Sequence, residues 1–399
     1  MTDVADAERL ISARLPLIGP RRLALEEASG AILRQTVRAE RDQPPFDRVT
    51  MDGIAIDFTD WQNGVREFEL AGTQAAGEPA IPIGGGGRCV EIMTGAMLPA
   101  DANCIIPVER TARRSTSIRV DDDATVTQHQ NIHPRGSDRQ AGTELLAPGT
   151  LIGPPEVAIL ASSGCAEIEA SSLPSVAVIS TGDELVDVNE PIADYQIRSS
   201  NDHAIEASLK RHRVATVTRS RLRDERRVML DAIRELHGKN DVLILSGGVS
   251  MGQFDFVPSV LEELGVELVF HRIEQRPGRP MWFGMSRDDK VVFALPGNPV
   301  STMVCLQRYV LPALKQMLGL ETGTTEIVRL EDDVEFAADL AYFLPVVVSW
   351  TDDGIGIAKP RPTNTSGDFV SLAGTDGFVE LPRGRDFYPA GTPARLFRW

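Results

Sequence analysis

SVAVISTGDEL (175–185) and DVLILSGGVSMGQFDF (241–256) share one construction: a short, mostly apolar run that breaks into a loop of Gly with Ser, Thr or acids. A run of that length closed by glycine is the pattern of a strand buried on both faces, as in a parallel sheet. Similar runs are RVATVTRS (213–220), VELVFHRI (266–273) and VVFAL (291–295). Segments of helical period near 201–212, 224–237, 255–264 and 300–318 alternate with them. Strand–loop–helix alternation predicts an α/β domain with a largely parallel sheet from 175 to about 320.

The texture changes on either side. From 43 to 142 the chain has short alternating runs, REFELAG, RCVEIMTG, NCIIPVE, TSIRVDDD and ATVTQH, punctuated by Gly, Pro and Asp. That is the punctuation of a mainly-β domain. The glycine tract 84–87 reads as a hairpin loop, since no helix follows it. After about 322 short strands return (YFLPVVVSW, GIGIAKP, GFVELP, PARLFRW), which predicts a small C-terminal β-barrel. Residues 1–35 read as two short helices around the Gly19-Pro20 break, and 149–174 as a connector with Pro-rich edges.

The 399 residues exceed what a single core usually organises. A composition of 42% hydrophobic and 25% charged residues excludes disorder as the default. The formal charge of −16 argues against nucleic acid and anionic membrane surfaces as partners. The one basic run, KRHRVATVTRSRLRDERR (210–227), reads as a solvated helix end and surface segment. Cys89, Cys104, Cys165 and Cys305 form no CxxC or Cys/His spacing, which fits unpaired thiols in a reducing, cytoplasmic setting. The acidic, amphipathic start MTDVADAERLISARLPLIG lacks the features of a secretory leader, and no apolar stretch is long enough to span a bilayer.

Ligands of an open α/β sheet bind outside the carboxyl ends of its strands. Three loops are expected there. TGDEL (181–185) holds Asp183 and Glu184 at a rim, although both acids could equally cap the next turn. SGGVSMGQFDF (246–256) offers free N–H groups to an anion; it is neither a Walker A nor a full GxGxxG, and Asp255 could simply cap the following helix. PGNPVST (296–302) places Asn298 at an N-cap and Pro299 at the first helical position, aiming a positive helix end into the same crevice. Arg276 and Arg279, on the Pro/Gly-stiffened EQRPGRP (274–280), suit an oxyanion. These loops point to a phosphorylated or nucleotide-like ligand. Glu184, Asp224 and Asp255 beside an anion site point to a bridging divalent cation.

PPFDRVTMDGIAI (44–56), IMTGAMLPADANCIIPVE (92–109), ISTGDEL (179–185), ILSGGVSMGQFDF (244–256), PGRP (277–280) and ALPGNPVST (294–302) resemble, in this order, the signature segments of molybdopterin molybdenumtransferases, the MoeA and gephyrin E-domain family. TSGDFVSLAGTDG (365–377) resembles the family's Ser-Gly segment. The resemblance implies a multidomain α/β plus β architecture in an elongated homodimer. Its parts would be a discontinuous linker domain (21–42 and 143–174), an inserted mainly-β domain (43–142), a MogA-like α/β molybdopterin-binding domain (1–20 and 175–322) and a C-terminal β-barrel (323–399). One subunit's inserted domain would face the other's α/β domain.

Carried over position by position, the family's functional residues fall on Asp52, Thr94, Asp138, Glu184, Asp224 and Asp255. The first three, in the inserted domain, would be contributed by the dimer partner. Alone they would read as a turn residue, a buried hydroxyl and a surface acid. The resemblance implies that adenylylated molybdopterin lies with its phosphates on Ser246, Gly247 and Gly248 and near Glu184, with Ser250 also binding substrate. Molybdate would sit by Arg276, Arg279, Pro296, Gly297, Asn298, Pro299 and Ser301, with Ser366 also contacting substrate. Mg²⁺ or Zn²⁺ would be held by Glu184, Asp224 and Asp255. Molybdenum insertion with release of AMP is the implied reaction. Molybdopterin adenylyltransferase and apo-molybdoenzymes or their chaperones are the implied partners. The alternatives are a paralogue or scaffold that binds the cofactor without inserting metal, an adenylyltransferase, which would need the α/β domain alone, and an oxidoreductase, which would need a complete dinucleotide fingerprint. Departures from the family are RPGRP for the usual KPGKP, Trp282 in MWFG, and DRVTMDG for DNSAMDG.

Overall fold

A computed structural model describes residues 1–249, 256–320 and 325–399. The chain divides into two compact units: Met1–Gln35 with Pro148–Pro154 and Glu167–Trp399, and Thr36–Ala147 with Pro155–Ala166.

In the first unit a six-stranded sheet runs in the order Thr216–Leu222, Ser175–Thr181, Val242–Ser246, Val291–Leu295, Trp282–Met285, Glu267–His271. The first four strands are parallel and the last two complete an antiparallel edge. Alternation along Ser175–Thr181 sorts the core. Val176 and Val178 pack with Ile205 and Leu209 of the helix Asn201–His212. Ala177 and Ile179 pack on the other face with Met229, Ile233 and Val257, from the helices Arg226–Lys239 and Val257–Glu263. Burial on both faces explains why these strands read as continuous apolar runs.

The last helix of this domain begins at Pro299 and ends at Met317, with a π turn over Leu306–Val310. Pro312 lacks the N–H that the carbonyl of Arg308 would accept, so the helix widens there. Arg308 is 2% exposed and binds Glu8 at 2.8 Å and Glu380 at 3.2 Å. Glu380 belongs to a closed barrel of Ala341–Trp350, Gly356–Pro360, Glu326–Leu330, Pro393–Arg398 and Gly377–Leu381, the last pairing back onto the first. The short strand Gln275–Arg276 adds to the rim of that barrel, parallel to Ala341 and Tyr342.

Two expectations fail. Residues 1–35 hold one α-helix, Val4–Ser12, not two; after the break comes a strand, Pro20–Ala24, then a 3₁₀ turn, Leu25–Glu27. The strand pairs antiparallel with Glu167–Ser171, Leu23 opposite Ile168, so a distant partner overrides local helical propensity. That partner strand and the helix Pro154–Ser162 also lie in the segment read as a connector. The prolines that suggested an irregular edge stand in the first turn of the helix, where their missing N–H costs nothing.

The second unit holds a sheet in the order Cys104–Pro107, Gly53–Ile56, Arg88–Ile92, Glu67–Gln74, Ser117–Val120, Thr111–Arg113. A Cβ on Gly53 would lie 2.0 Å from the Ile106 carbonyl oxygen, which is why glycine follows Asp52. Glu67–Gln74 and Arg88–Ile92 pair in parallel, so the 84–87 tract ends a crossover and not a hairpin. The Asp101 carboxylate accepts from the N–H of Ile83 and Gly84, and Asp60 from Gly87. ATVTQH forms no strand: the Gln130 side chain accepts the Thr127 N–H at 2.9 Å, satisfying it locally.

Candidate functional site

The carboxyl ends of the parallel strands open into a cleft of about 1230 Å³ in the first unit. Glu184, Asp224, Ser246, Gly247, Gly248, Arg276, Arg279, Pro296, Gly297, Asn298, Pro299, Ser301 and Ser366 all line it. The loops expected to share one crevice therefore do so. Ser250 and Asp255 lie outside the described residues.

Gly247 and Gly248 turn with φ of 98° and 66°, in the region glycine enters without strain. A Cβ on Gly247 would stand 2.6 Å from the Thr181 carbonyl oxygen, so this loop packs directly on the end of the neighbouring strand. The Gly247 N–H is given to the Leu295 carbonyl at 3.2 Å, which leaves the Gly248 N–H as the donor the turn can offer an anion. Asn201 ties two of the loops together: its side-chain amide donates to Ser246 Oγ at 2.9 Å and to the Gly297 carbonyl at 2.8 Å. Asn298 is the N-cap residue of its helix, yet its amide donates to Ser366 Oγ at 2.7 Å instead of capping. Asp183 accepts from the Asp224 N–H at 3.3 Å, holding Asp224 beside the TGDEL turn.

Arg276 and Arg279 have no carboxylate partner among the described residues; Arg279 donates only to the Met1 sulfur, a weak acceptor. Two unneutralised guanidinium groups in a cleft are what an oxyanion requires. The barrel adds Phe336 and Tyr342, stacked at 4.2 Å, and the exposed Phe369. Burial raises the Tyr342 hydroxyl pKa, opposed by the Arg276 charge.

Glu184 and Asp224 are the described carboxylates of the cleft that suit a cation, and among the described residues no cluster of three or more His, Cys, Asp or Glu could hold a metal. Carboxylates without a thiol or imidazole among the described lining residues match a hard, partly hydrated ion such as Mg²⁺ better than Zn²⁺. Trp282 is not in the cleft: it is buried in the core beneath the opposite face of the sheet, packed over Gly284.

Asp52, Thr94 and Asp138 stand in the second unit. Thr94 donates both its N–H (2.7 Å) and its hydroxyl (2.8 Å) to Asp52 Oδ1. The Thr94 N–H, with the hydroxyl second, holds the Asp52 pKa below the usual carboxylate value. Asp138 meets His133 Nε2 at 2.9 Å, and Arg48 reaches His133 Nδ1 at 3.2 Å. A guanidinium can only donate, so Nδ1 accepts and the ring proton sits on Nε2, directed at Asp138.

Sequence reasoning missed Asn201, Ser180, Thr181 and the barrel aromatics. The run SSN before a helical segment (199–201) was the available signal for Asn201. The aromatics reach the cleft through barrel closure, which leaves no local signature.

Fold and cleft together define a multidomain α/β protein built to hold a phosphorylated, anionic small molecule. The chain belongs to the MoeA family. Family models match residues 2–164 (MoeA N-terminal region, domain I and II), 177–316 (probable molybdopterin binding domain) and 328–396 (MoeA C-terminal region, domain IV). A molybdopterin molybdenumtransferase of Synechocystis sp. is 36% identical over 100% of both chains. One from Staphylococcus aureus is 31% identical over 92% of this chain and 88% of its own. A crystal structure of a molybdopterin biosynthesis MoeA protein from Pyrococcus horikoshii aligns with a TM-score of 0.84 at 25% identity, covering 100% of both chains. No helix among the described residues is long and apolar enough to cross a membrane.

Proposed function

We propose that this protein inserts molybdenum from molybdate into adenylylated molybdopterin, releasing AMP and completing the molybdenum cofactor. The observation that carries the reading is the convergence of the glycine turn at 247–248, the unpaired Arg276 and Arg279, and Glu184 with Asp224 in one cleft. A pure binding protein needs no carboxylates against an anionic ligand, so the scaffold reading is not favoured.

The Gly248 N–H and Ser246 bind the phosphates, beside Gly247, whose own N–H is given to the Leu295 carbonyl. Arg276 and Arg279, with the helix start at Asn298, Pro299 and Ser301, hold molybdate. Water cleaves the phosphoanhydride and frees AMP, while the two dithiolene thiols bind molybdenum and their protons leave with one molybdate oxygen as water. Glu184 and Asp224, with Asp255 assigned from the sequence, would hold Mg²⁺, whose chemistry is to neutralise charge developing on the phosphoryl oxygens. Catalysis on this reading is positioning and charge neutralisation. In a homodimer, Asp52, Thr94 and Asp138 of one subunit would complete the cleft of the other. The unpaired thiols support a cytoplasmic location, and molybdopterin adenylyltransferase and apo-molybdoenzymes or their chaperones are the proposed neighbours in the reaction sequence.

The test is AMP release from adenylylated molybdopterin by the purified chain with Mg²⁺ and molybdate, beside Glu184→Gln and Asp255→Asn. Molybdate-dependent release lost in the variants supports the transferase. Tight pterin binding with no release under any metal would instead support the binding-module reading.

A further inference from the structure

The loop that carries Arg276 and Arg279 rests on three buried polar side chains. Gln275 and Cys305 are fully buried, and Tyr309 is 2% exposed. Cys305 closes the first stretch of the helix that begins at Pro299, and Tyr309 follows four residues later in its π turn, so one helix presents both to the loop. The Gln275 amide nitrogen donates to the Pro277 carbonyl at 3.0 Å. A carbonyl can only accept, which fixes the amide and turns its oxygen toward Tyr309, whose hydroxyl donates to it. The same amide nitrogen reaches the Cys305 sulfur at 3.6 Å, and the Cys305 thiol donates to the Gly278 carbonyl at 3.5 Å. Burial pushes the pKa of the Cys305 thiol and of the Tyr309 hydroxyl up, so both keep their protons and serve as donors. The fit is close: a Cβ on Gly278 would stand 2.6 Å from both the Cys305 sulfur and the Gln275 amide nitrogen. The carbonyls of both residues between the two arginines are therefore taken by groups that the helix holds. Apolar side chains would fill the same space at little or no loss of stability, whereas a satisfied polar network fixes a single arrangement. The start of this same helix, at Asn298, Pro299 and Ser301, lines the cleft.

We propose that Gln275 and Tyr309 are positioning residues: through Pro277 and Gly278 they hold the Arg276 and Arg279 guanidinium groups at a set distance from the helix start. Both halves of the oxyanion site are then referenced to one rigid helix. Gln275 and Tyr309 lie beneath the loop and act through it. A site held in this way is ordered before the anion arrives, so binding does not bear the cost of ordering the loop. This deepens the functional reading above and rests on it for the identity of the oxyanion as molybdate.

Tyr309→Phe, and the double variant Gln275→Met with Tyr309→Phe, separate positioning from stability. The single change leaves the Gln275 oxygen buried without its donor, and the double change removes that conflict. Thermal melts are read beside isothermal titration calorimetry on the full chain with molybdate and, as a control for the rest of the cleft, with AMP. Tyr309→Phe should melt a few degrees below the wild type, and the double variant should recover most of that loss. Molybdate affinity should fall about tenfold in both, because the loop stays unpinned, while AMP affinity should hold within about twofold. A double variant that recovers molybdate affinity together with its Tm would overturn the proposal, since the network would then act through stability alone. Unchanged molybdate affinity in both variants, equal losses for molybdate and AMP, or a wild type that binds no molybdate would each overturn it as well. AMP release from adenylylated molybdopterin by the same wild-type preparation keeps the two readings apart: its absence overturns the reaction while the calorimetry still decides the positioning.

Discussion

Asn298 caps its helix by position but gives its side-chain amide to Ser366, 2.7 Å away on a loop of the barrel. The Val300 N–H donates to the Ser366 carbonyl at 3.0 Å, so this loop is stitched to the helix start by side chain and backbone. Ser366→Ala keeps the backbone bond and removes the other. The expected result is a Tm within a few degrees of wild type and a loss of roughly three- to tenfold in kcat/KM, measured from AMP release. An unchanged kcat/KM would mean that the side-chain bond does not position the cleft.

Asn201 links the Ser246 and Gly297 loops from a third element. Asn201→Ala leaves two acceptors without their donor and should cost about 1–3 kcal/mol in denaturant unfolding. Asn201→Asp should be worse for anion binding, since it sets a carboxylate against the Gly297 carbonyl. Calorimetry with AMP would rank wild type above Ala and Ala above Asp.

Arg308 joins the N-terminal helix, the π-containing helix and the barrel through Glu8 and Glu380. Arg308→Met leaves Glu380, 15% exposed, with only Arg395 at 3.8 Å. Removing one member of a buried ion pair costs about 3–5 kcal/mol, and the half-exposed Glu8 places this case near the lower end. Urea unfolding checks it; a cost below about 1 kcal/mol would contradict the geometry.

His212 and His237 both have pKa values lowered from 6.5, first by burial. The unfolded chain therefore binds these protons more readily than the folded one. Stability is complete above the unfolded value and falls as pH drops below about 6.5 toward the folded values, by at most about 1.4 kcal/mol per pH unit for each histidine. Melts from pH 7.5 to 5 should show the decline, and His237→Asn should flatten it.

His133 should carry its ring proton on Nε2, because Arg48 occupies Nδ1. Nitrogen chemical shifts of labelled protein report the tautomer directly, and a proton on Nδ1 would refute the assignment. His133→Ala should leave the Tm within a few degrees, since the pair is partly exposed, and should free Asp138 from its donor.

What the sequence made legible follows from how locally each element is specified. The parallel strands were readable because two-sided burial leaves an unbroken apolar run, and the helix starting at Pro299 because Asn-Pro marks a beginning. The strand Pro20–Ala24 was not, since its pairing with Glu167–Ser171 is long-range and PRRLA has no period of its own. Trp282–Met285 was missed for a related reason: it interrupts the strand–helix alternation with an antiparallel edge. In the site, loop residues were found through glycine and proline chemistry. Ser180 and Thr181 went unnoticed because a hydroxyl inside an apolar strand reads as an ordinary core residue.

Arg276 is held in register with Tyr342, so the arginine loop takes part of its position from the barrel, beside its anchor in the α/β domain where Cys305 donates to the Gly278 carbonyl. The barrel is thus a calibrating part and not an appendage. Exchanging residues 325–399 for those of a relative would reset the height of both guanidinium groups above the cleft floor without altering any residue of the α/β domain. Selectivity among oxyanions of different radius could therefore drift by mutation in the barrel alone.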